Sequence, residues 1–168
     1  MRTLVAYFSH AGENYGTGII SKGNTEAVAE IVAERTGGEL YQIRTVKEYP
    51  QGYKRCTEAA REEQRRKARP ELSGPLPDLR DYDRVFLGYP NWWGDLPMAV
   101  YTFLEALDFS AKTVIPFCTH SGLSGTVETV RRLCPGAKVL EGFEVRGRLC
   151  QGPGKEAWVD KGLSKVLG

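Results

Sequence analysis

The chain holds only four cysteines, Cys56, Cys118, Cys134 and Cys150. They form no C-x-x-C pair and have no histidine at ligand spacing, which argues against a disulfide framework, a zinc site or an iron–sulfur cluster and leaves four free thiols. Long hydrophobic runs are missing too. Behind Met1 there are too few apolar residues before Ser9 and His10 for a signal-peptide core, and no stretch approaches the roughly 20 residues that cross a bilayer. A cytoplasmic location without a membrane partner is therefore expected. Charge of one sign is also lacking: 23 Lys and Arg against 21 Asp and Glu leave a net charge of +2, too mild for a reader of nucleic-acid backbones. No internal repeat or linker stands out. With 168 residues, 41% of them hydrophobic and 26% charged, the expectation is a single domain over residues 1–168 built on one core.

What is present is an alternation of buried strands and helices. The apolar runs at 4–8, 85–89 and 114–118 are continuous, the pattern of strands covered on both faces. Between them, Ala27, Val28, Ile31 and Val32, then Met98, Val100, Tyr101, Phe103 and Leu104, then Val127, Val130 and Leu133 fall at helical spacing. Weaker strands are expected at 39–43 and 137–140, and a closing helix at 155–166. Right-handed crossovers then favour a doubly wound, five-stranded parallel sheet in the order 2-1-3-4-5, with helices on both faces and a ligand crevice where strands 1 and 3 part. Pro116 sits inside the third run, where a proline cannot donate to a ladder, so a strand end or bulge is expected there. The segment 53–69 is rich in charge of both signs, with Glu62 four residues before Arg66, and reads as an exposed helix that is at most a docking patch for an acidic partner. Residues 73–78 form a loop leading back to the sheet.

Three loops carry the chemistry. Gly23-Asn24-Thr25 precedes the first amphipathic segment, so Asn24 or Thr25 can cap a helix whose free N–H groups face an anion. The stretch 18–25, GIISKGNT, nearly matches a triphosphate loop, but Asn24 replaces its lysine and the strand ends near Ser9, well before Gly18. ATP and GTP are thereby disfavoured, and a terminal monophosphate fits better; the alternative is an ordinary capped helix. In the second loop, Pro90-Asn91-Trp92-Trp93-Gly94-Asp95, two adjacent tryptophans after a buried strand ask for a ligand or partner. Trp93 can stack on a planar ring, and Gly94, tolerant of positive φ, lets the 94–95 peptide turn over. The alternative is that both tryptophans fill a groove. The third loop, 119–125, supplies small residues and backbone donors suited to a polar heterocycle edge, with Ser124 or Thr126 capping the next helix. His10 and His120 both fall on this edge as candidate cofactor contacts. Neither is given a catalytic role, and no metal ligands are assigned.

Taken together, Tyr7-Phe8-Ser9 with Gly23-Asn24-Thr25, Leu87-Gly88-Tyr89-Pro90 through Trp92-Trp93-Gly94, and Pro116-Phe117-Cys118-Thr119-His120 resemble the FMN-binding flavodoxin-like proteins. The similarity runs nearly end to end and includes Ala68-Arg69-Pro70-Glu71-Leu72 and Leu133-Cys134-Pro135-Gly136-Ala137. It is strongest to a subgroup whose phosphate loop is split by an insertion, here residues 10–21, with Gly16 and Gly18 permitting movement. The resemblance implies a flavodoxin-like three-layer α/β sandwich. It implies that Ser9, Lys22 through its backbone, Gly23, Asn24 and Thr25 hold the phosphate of FMN. Pro90, Asn91, Trp92, Trp93 and Gly94 would flank the isoalloxazine, with Trp93 stacked on it, and Thr119, His120, Ser121 and Gly122 would meet its pyrimidine edge. Asn91 stands where the subgroup commonly has an aliphatic residue, the third loop lacks the aromatic that covers the outer ring face in many flavodoxins, and the chain is slightly basic where classical carriers are acidic. Three functions follow: electron transfer between protein partners through FMN, NAD(P)H-dependent reduction of quinones or similar small acceptors, or a binding or sensing module without flavin.

Overall fold

The computed structural model describes residues 1–14, 18–119 and 125–168. Its centre is β1 (Thr3–Tyr7), buried along its whole length because strands flank both its edges and helices cover both its faces. One neighbour is β4 (Glu39–Gln42) and the other β5 (Arg84–Pro90), both parallel, so that Leu4 faces Glu39 on one side and Val85 on the other. Beyond β5 come β6 (Thr113–Thr119) and β7 (Lys138–Val139), giving the order β4-β1-β5-β6-β7. This is the 2-1-3-4-5 order read from the sequence, flavodoxin-like in its winding. The sheet nevertheless has six strands, not five, because β8 (Phe143–Val145) also pairs with β6. The last strand position is thus filled by two short pieces in succession.

That break explains Pro116, which is neither at a strand end nor in a bulge but inside the unbroken β6, opposite Leu87. Val114 O accepts from Leu140 N–H on the β7 side; since backbone groups two residues apart point the same way, the absent N–H of Pro116 faces that side as well. Pairing there stops at Val114–Val139 and resumes at Phe117–Phe143. The proline falls on the interruption, so the bulge belongs to its neighbour. Gly142 makes the detour with φ +74°, and a Cβ there would fall on Pro116 O.

Alternation along β1 divides the core. Leu4 and Ala6 pack with Met98, Val100, Phe103 and Leu104 of α3 (Met98–Ala106) and Val130 of α4 (Thr126–Leu133). Val5 and Tyr7 point the other way, to Val28 and Val32 of α1 (Asn24–Thr36) and Val159 and Leu163 of α5 (Lys155–Leu167). The mixed-charge segment forms α2 (Tyr53–Arg66), beside α3, and buries only Cys56 and Ala60. Its Glu62 pairs with Arg65 at 3.3 Å and Arg66 at 3.5 Å. All four cysteines are free and buried. Among the described residues, no helix is long and apolar enough to cross a membrane.

The insertion after β1 contains an antiparallel pair, β2 (Gly12–Asn14) and β3 (Gly18–Ile20), which the sequence pattern did not announce. It is tied to the start of α2: Glu13 N–H donates to Gln51 O at 3.0 Å, and Glu13 Oε1 accepts from Tyr53 N–H at 2.7 Å. The carboxylate meets a helix N-terminus, where negative charge is favoured. Gly16 lies outside the described residues.

Candidate cofactor site

The chain passes from β1 outward to β4 and then back across to β5, so the topological switch lies between β1 and β5, at the carboxyl ends of the strands. The loop after β1 and the start of α1 meet there. Neither Asn24 nor Thr25 caps α1, contrary to expectation: the N-cap is Gly23, which has no side chain to do so. Ser9 takes over, its Oγ accepting from Glu26 N–H at 3.0 Å. This leaves the Ser9 O–H free as a donor. The approach requires glycine, because a Cβ on Gly23 would fall on Ser9 Oγ and lie 2.9 Å from His10 O. Asn24 and Thr25 are buried polar residues. The Thr25 and Thr119 hydroxyls meet at 2.8 Å and join the first loop to the third. Lys22 turns its ammonium out to Glu30 at 2.7 Å, which raises its pKa, so only its backbone belongs to the loop.

The second loop is a tight hairpin turn. Trp92 N–H donates to Asp95 O at 2.9 Å and Asp95 N–H to Trp92 O at 3.2 Å, with Trp93 at φ 55° and Gly94 at φ 77°. Two consecutive positive φ angles define the type I′ geometry. Gly94 N–H is taken by Asn91 Oδ1 at 2.9 Å, and Trp93 O accepts from Gln64 Nε2 at 3.3 Å. The 94–95 peptide expected to turn over freely therefore has its N–H committed to the hairpin.

The two tryptophans have separate jobs. Trp92 packs edge-on against Phe8 at 5.2 Å, Tyr49 at 5.1 Å and His10 at 6.2 Å, filling a groove. Trp93 is 52% exposed and leans on α2, its Nε1 donating to Thr57 O at 2.9 Å and its ring carrying the Arg61 guanidinium at 5.0 Å.

Between these loops lies a cleft of about 410 Å³. Of the residues singled out from sequence, His10, Asn24, Thr25, Pro90, Asn91, Trp92, Trp93, Gly94 and Thr119 line it. Ser9 and His10 border a smaller neighbouring hollow of about 230 Å³, and Lys22 and Gly23 line neither. His120, Ser121 and Gly122, with Ser124, lie outside the described residues. Thr126 does not cap α4, whose N-cap is Gly125; its hydroxyl instead bonds Tyr89 OH at 3.0 Å.

Sequence reasoning missed one wall. Glu13 and Asn14 of β2 and Tyr53, Cys56, Thr57 and Ala60 of α2 also face the cleft. The signal was there: Tyr53, Cys56, Thr57 and Ala60 stand at i, i+3, i+4 and i+7, one face of a helix set among charges. Burial pushes the Cys56 thiol up to about 11, which disfavours its thiolate. Burial also lowers the pKa of His10, favouring the neutral imidazole, and its Nε2 is buried without a hydrogen-bond partner. Among the described residues, no cluster of His, Cys, Asp and Glu suits a metal ion.

One end of the cleft thus offers hydroxyl, amide and helix N-terminal donors, and the other a flat, largely aromatic wall: a site for a ligand with an anionic tail and a planar head, in a doubly wound α/β fold. The chain belongs to the flavodoxin family, whose sequence model matches residues 2–162. A candidate flavoprotein from Bacteroides uniformis is 32% identical, covering 87% of this chain and 90% of its own, with a TM-score of 0.69. Another, from Bacteroides eggerthii, is 25% identical over 99% of this chain and 98% of its own, with a TM-score of 0.75. A flavoprotein from Lactobacillus acidophilus, solved in complex with FMN, shares the fold at 22% identity, covering 94% and 97% of the two chains with a TM-score of 0.64. Among curated proteins the comparison found no match.

Proposed function

We propose that this protein holds FMN in the cleft and serves electron transfer through it. The observation that carries the reading is the continuity of one cleft from the buried Asn24 and Thr25 at the start of α1 to the Trp92–Gly94 turn, at the switch point of the sheet. Bound FMN supplies the redox chemistry, and the protein's part is to position it and tune its surroundings. Asn24, Thr25, the Ser9 hydroxyl and the backbone of Lys22 and Gly23 grip the phosphate. Pro90, Asn91, Trp92, Trp93 and Gly94 flank the ring, and Thr119 meets its pyrimidine edge.

A second reading, NAD(P)H-dependent reduction of a small acceptor, is favoured by the cations on α2. Arg61 stands at the rim on Trp93, and exposed Lys54 and Arg55 follow the first residue of the same helix, where the phosphates of a dinucleotide would be attracted. Anaerobic addition of NADH or NADPH to the FMN-loaded protein, watched by visible absorbance, separates the two. Electron transfer between proteins predicts little bleaching within minutes, and full reduction by photochemical or protein donors. Fast stoichiometric bleaching would hand the function to the reductase reading, and protein that takes up no FMN at all would overturn both.

A further inference from the structure

We infer that Gln151 is the positioning residue that aims the donors of the β1 loop at a phosphate monoester; this rests on the flavin reading above and says which residue confers the preference for the phosphorylated cofactor. Gln151 lies between β8 and α5, exposed and away from the lining of the cleft. Its Nε2 donates at 2.9 Å to Lys22 O and at 2.9 Å to Asn24 Oδ1. One amide nitrogen thereby holds two acceptors that belong to successive parts of the loop.

The consequence follows from the planarity of amides. In a trans peptide the C=O and the following N–H point in opposite directions, so fixing Lys22 O toward Gln151 directs Gly23 N–H away from it. The Asn24 side chain has one acceptor end and one donor end. With Oδ1 engaged behind the loop, Nδ2 is turned the other way, and Asn24 is the residue of the pair that lines the cleft. Two N–H donors are thus presented together beside the N-terminus of α1, the combination that binds anions. Without Gln151 the Asn24 amide is free to rotate and offer its oxygen to the same place, where a phosphate would be repelled.

The test is the isosteric, uncharged substitution Gln151→Met, with FMN and riboflavin titrated into apoprotein and dissociation constants read from quenching of flavin fluorescence. FMN affinity is expected to fall about tenfold and riboflavin affinity to stay within about twofold, the scale of two lost neutral hydrogen bonds. In the FMN-loaded variant the Gly23 amide proton should move upfield in a 15N–1H spectrum. Placed on Asn24→Ala, the same substitution should cost only about threefold, since one of its two partners is gone. Gln151→Lys, which restores a donor, should keep the preference for FMN even if Gln151→Met folds poorly. Equal weakening of both flavins, no weakening, additive losses in the double variant, or loss of the preference in Gln151→Lys would each overturn the inference while leaving the flavin reading standing. Wild-type protein that binds neither flavin would remove the reading itself.

Discussion

Trp93 shows how a single residue can be placed against its own preferences. At φ 55° it occupies the left-handed region, which costs a non-glycine residue on the order of 1–2 kcal/mol. Its Nε1–H bond to Thr57 O and the Arg61 contact offset that cost by tying the turn to α2. Truncation is expected to expose the balance. Trp93→Ala keeps the strain and loses the contacts, so stability should fall by about 1–2 kcal/mol. Trp93→Gly loses the same contacts but relieves the strain, and should be more stable than the alanine variant by about 1 kcal/mol, the reverse of the usual order at an ordinary position. Urea unfolding of the pair decides it; a glycine variant less stable than alanine would mean that the turn relaxes rather than strains. In the sequence, the paired tryptophans and Gly94 were enough to mark this loop and to single out Trp93 for stacking, but not what holds that indole in place. That depends on Thr57 and Arg61, more than thirty residues away in the chain and joined to it only by the packing of α2.

At the scale of elements, the continuous apolar runs gave away β1, β5 and β6 to within a residue or two, because strands covered on both faces have no polar positions to blur them. The edges were less legible. The strands β2 and β3 are three residues each and half exposed, too short for a periodic signal, and β7 and β8 split where Gly142 bends away from Pro116. Alpha-2 was recognised as a helix, yet its charged majority hid the small residues that face the cleft. The split of the edge strand can be tested at Gly142, where positive φ and a close approach coincide. Gly142→Ala should destabilise by roughly 3 kcal/mol, the sum of left-handed strain and overpacking on Pro116 O. Gly74→Ala is the control: its φ is +79° but a Cβ there meets nothing within 4 Å, so only about 1 kcal/mol should be lost. Similar losses at the two sites, measured by denaturant unfolding, would show that the β7–β8 junction yields and that Pro116 is not locked beneath it.

For the whole molecule, the loops around the cleft are tied together by the protein's own hydrogen bonds. Thr25 meets Thr119, Gln151 meets Lys22 and Asn24, Glu13 meets the start of α2, and Trp93 meets its middle. These bonds join segments from both ends of the chain around one cleft, so a ligand that fills it is coupled to global unfolding rather than to a local loop. A ligand bound only by the native state stabilises it by about 2.7 kcal/mol at a hundredfold excess over its dissociation constant. For a chain of this length that corresponds to a rise in Tm of roughly 5–10 °C. FMN is expected to produce a shift of that size. Riboflavin at the same concentration should give a clearly smaller one, since each tenfold loss of affinity removes about 1.4 kcal/mol. Inorganic phosphate alone should give a small shift of its own, because the Ser9 hydroxyl and the N-terminus of α1 are brought together there. Equal shifts with FMN and riboflavin would mean that the loop around Asn24 grips no phosphate, and the absence of any shift with FMN would mean that the cleft joining it to the Trp92–Gly94 turn is not where this protein takes its cofactor.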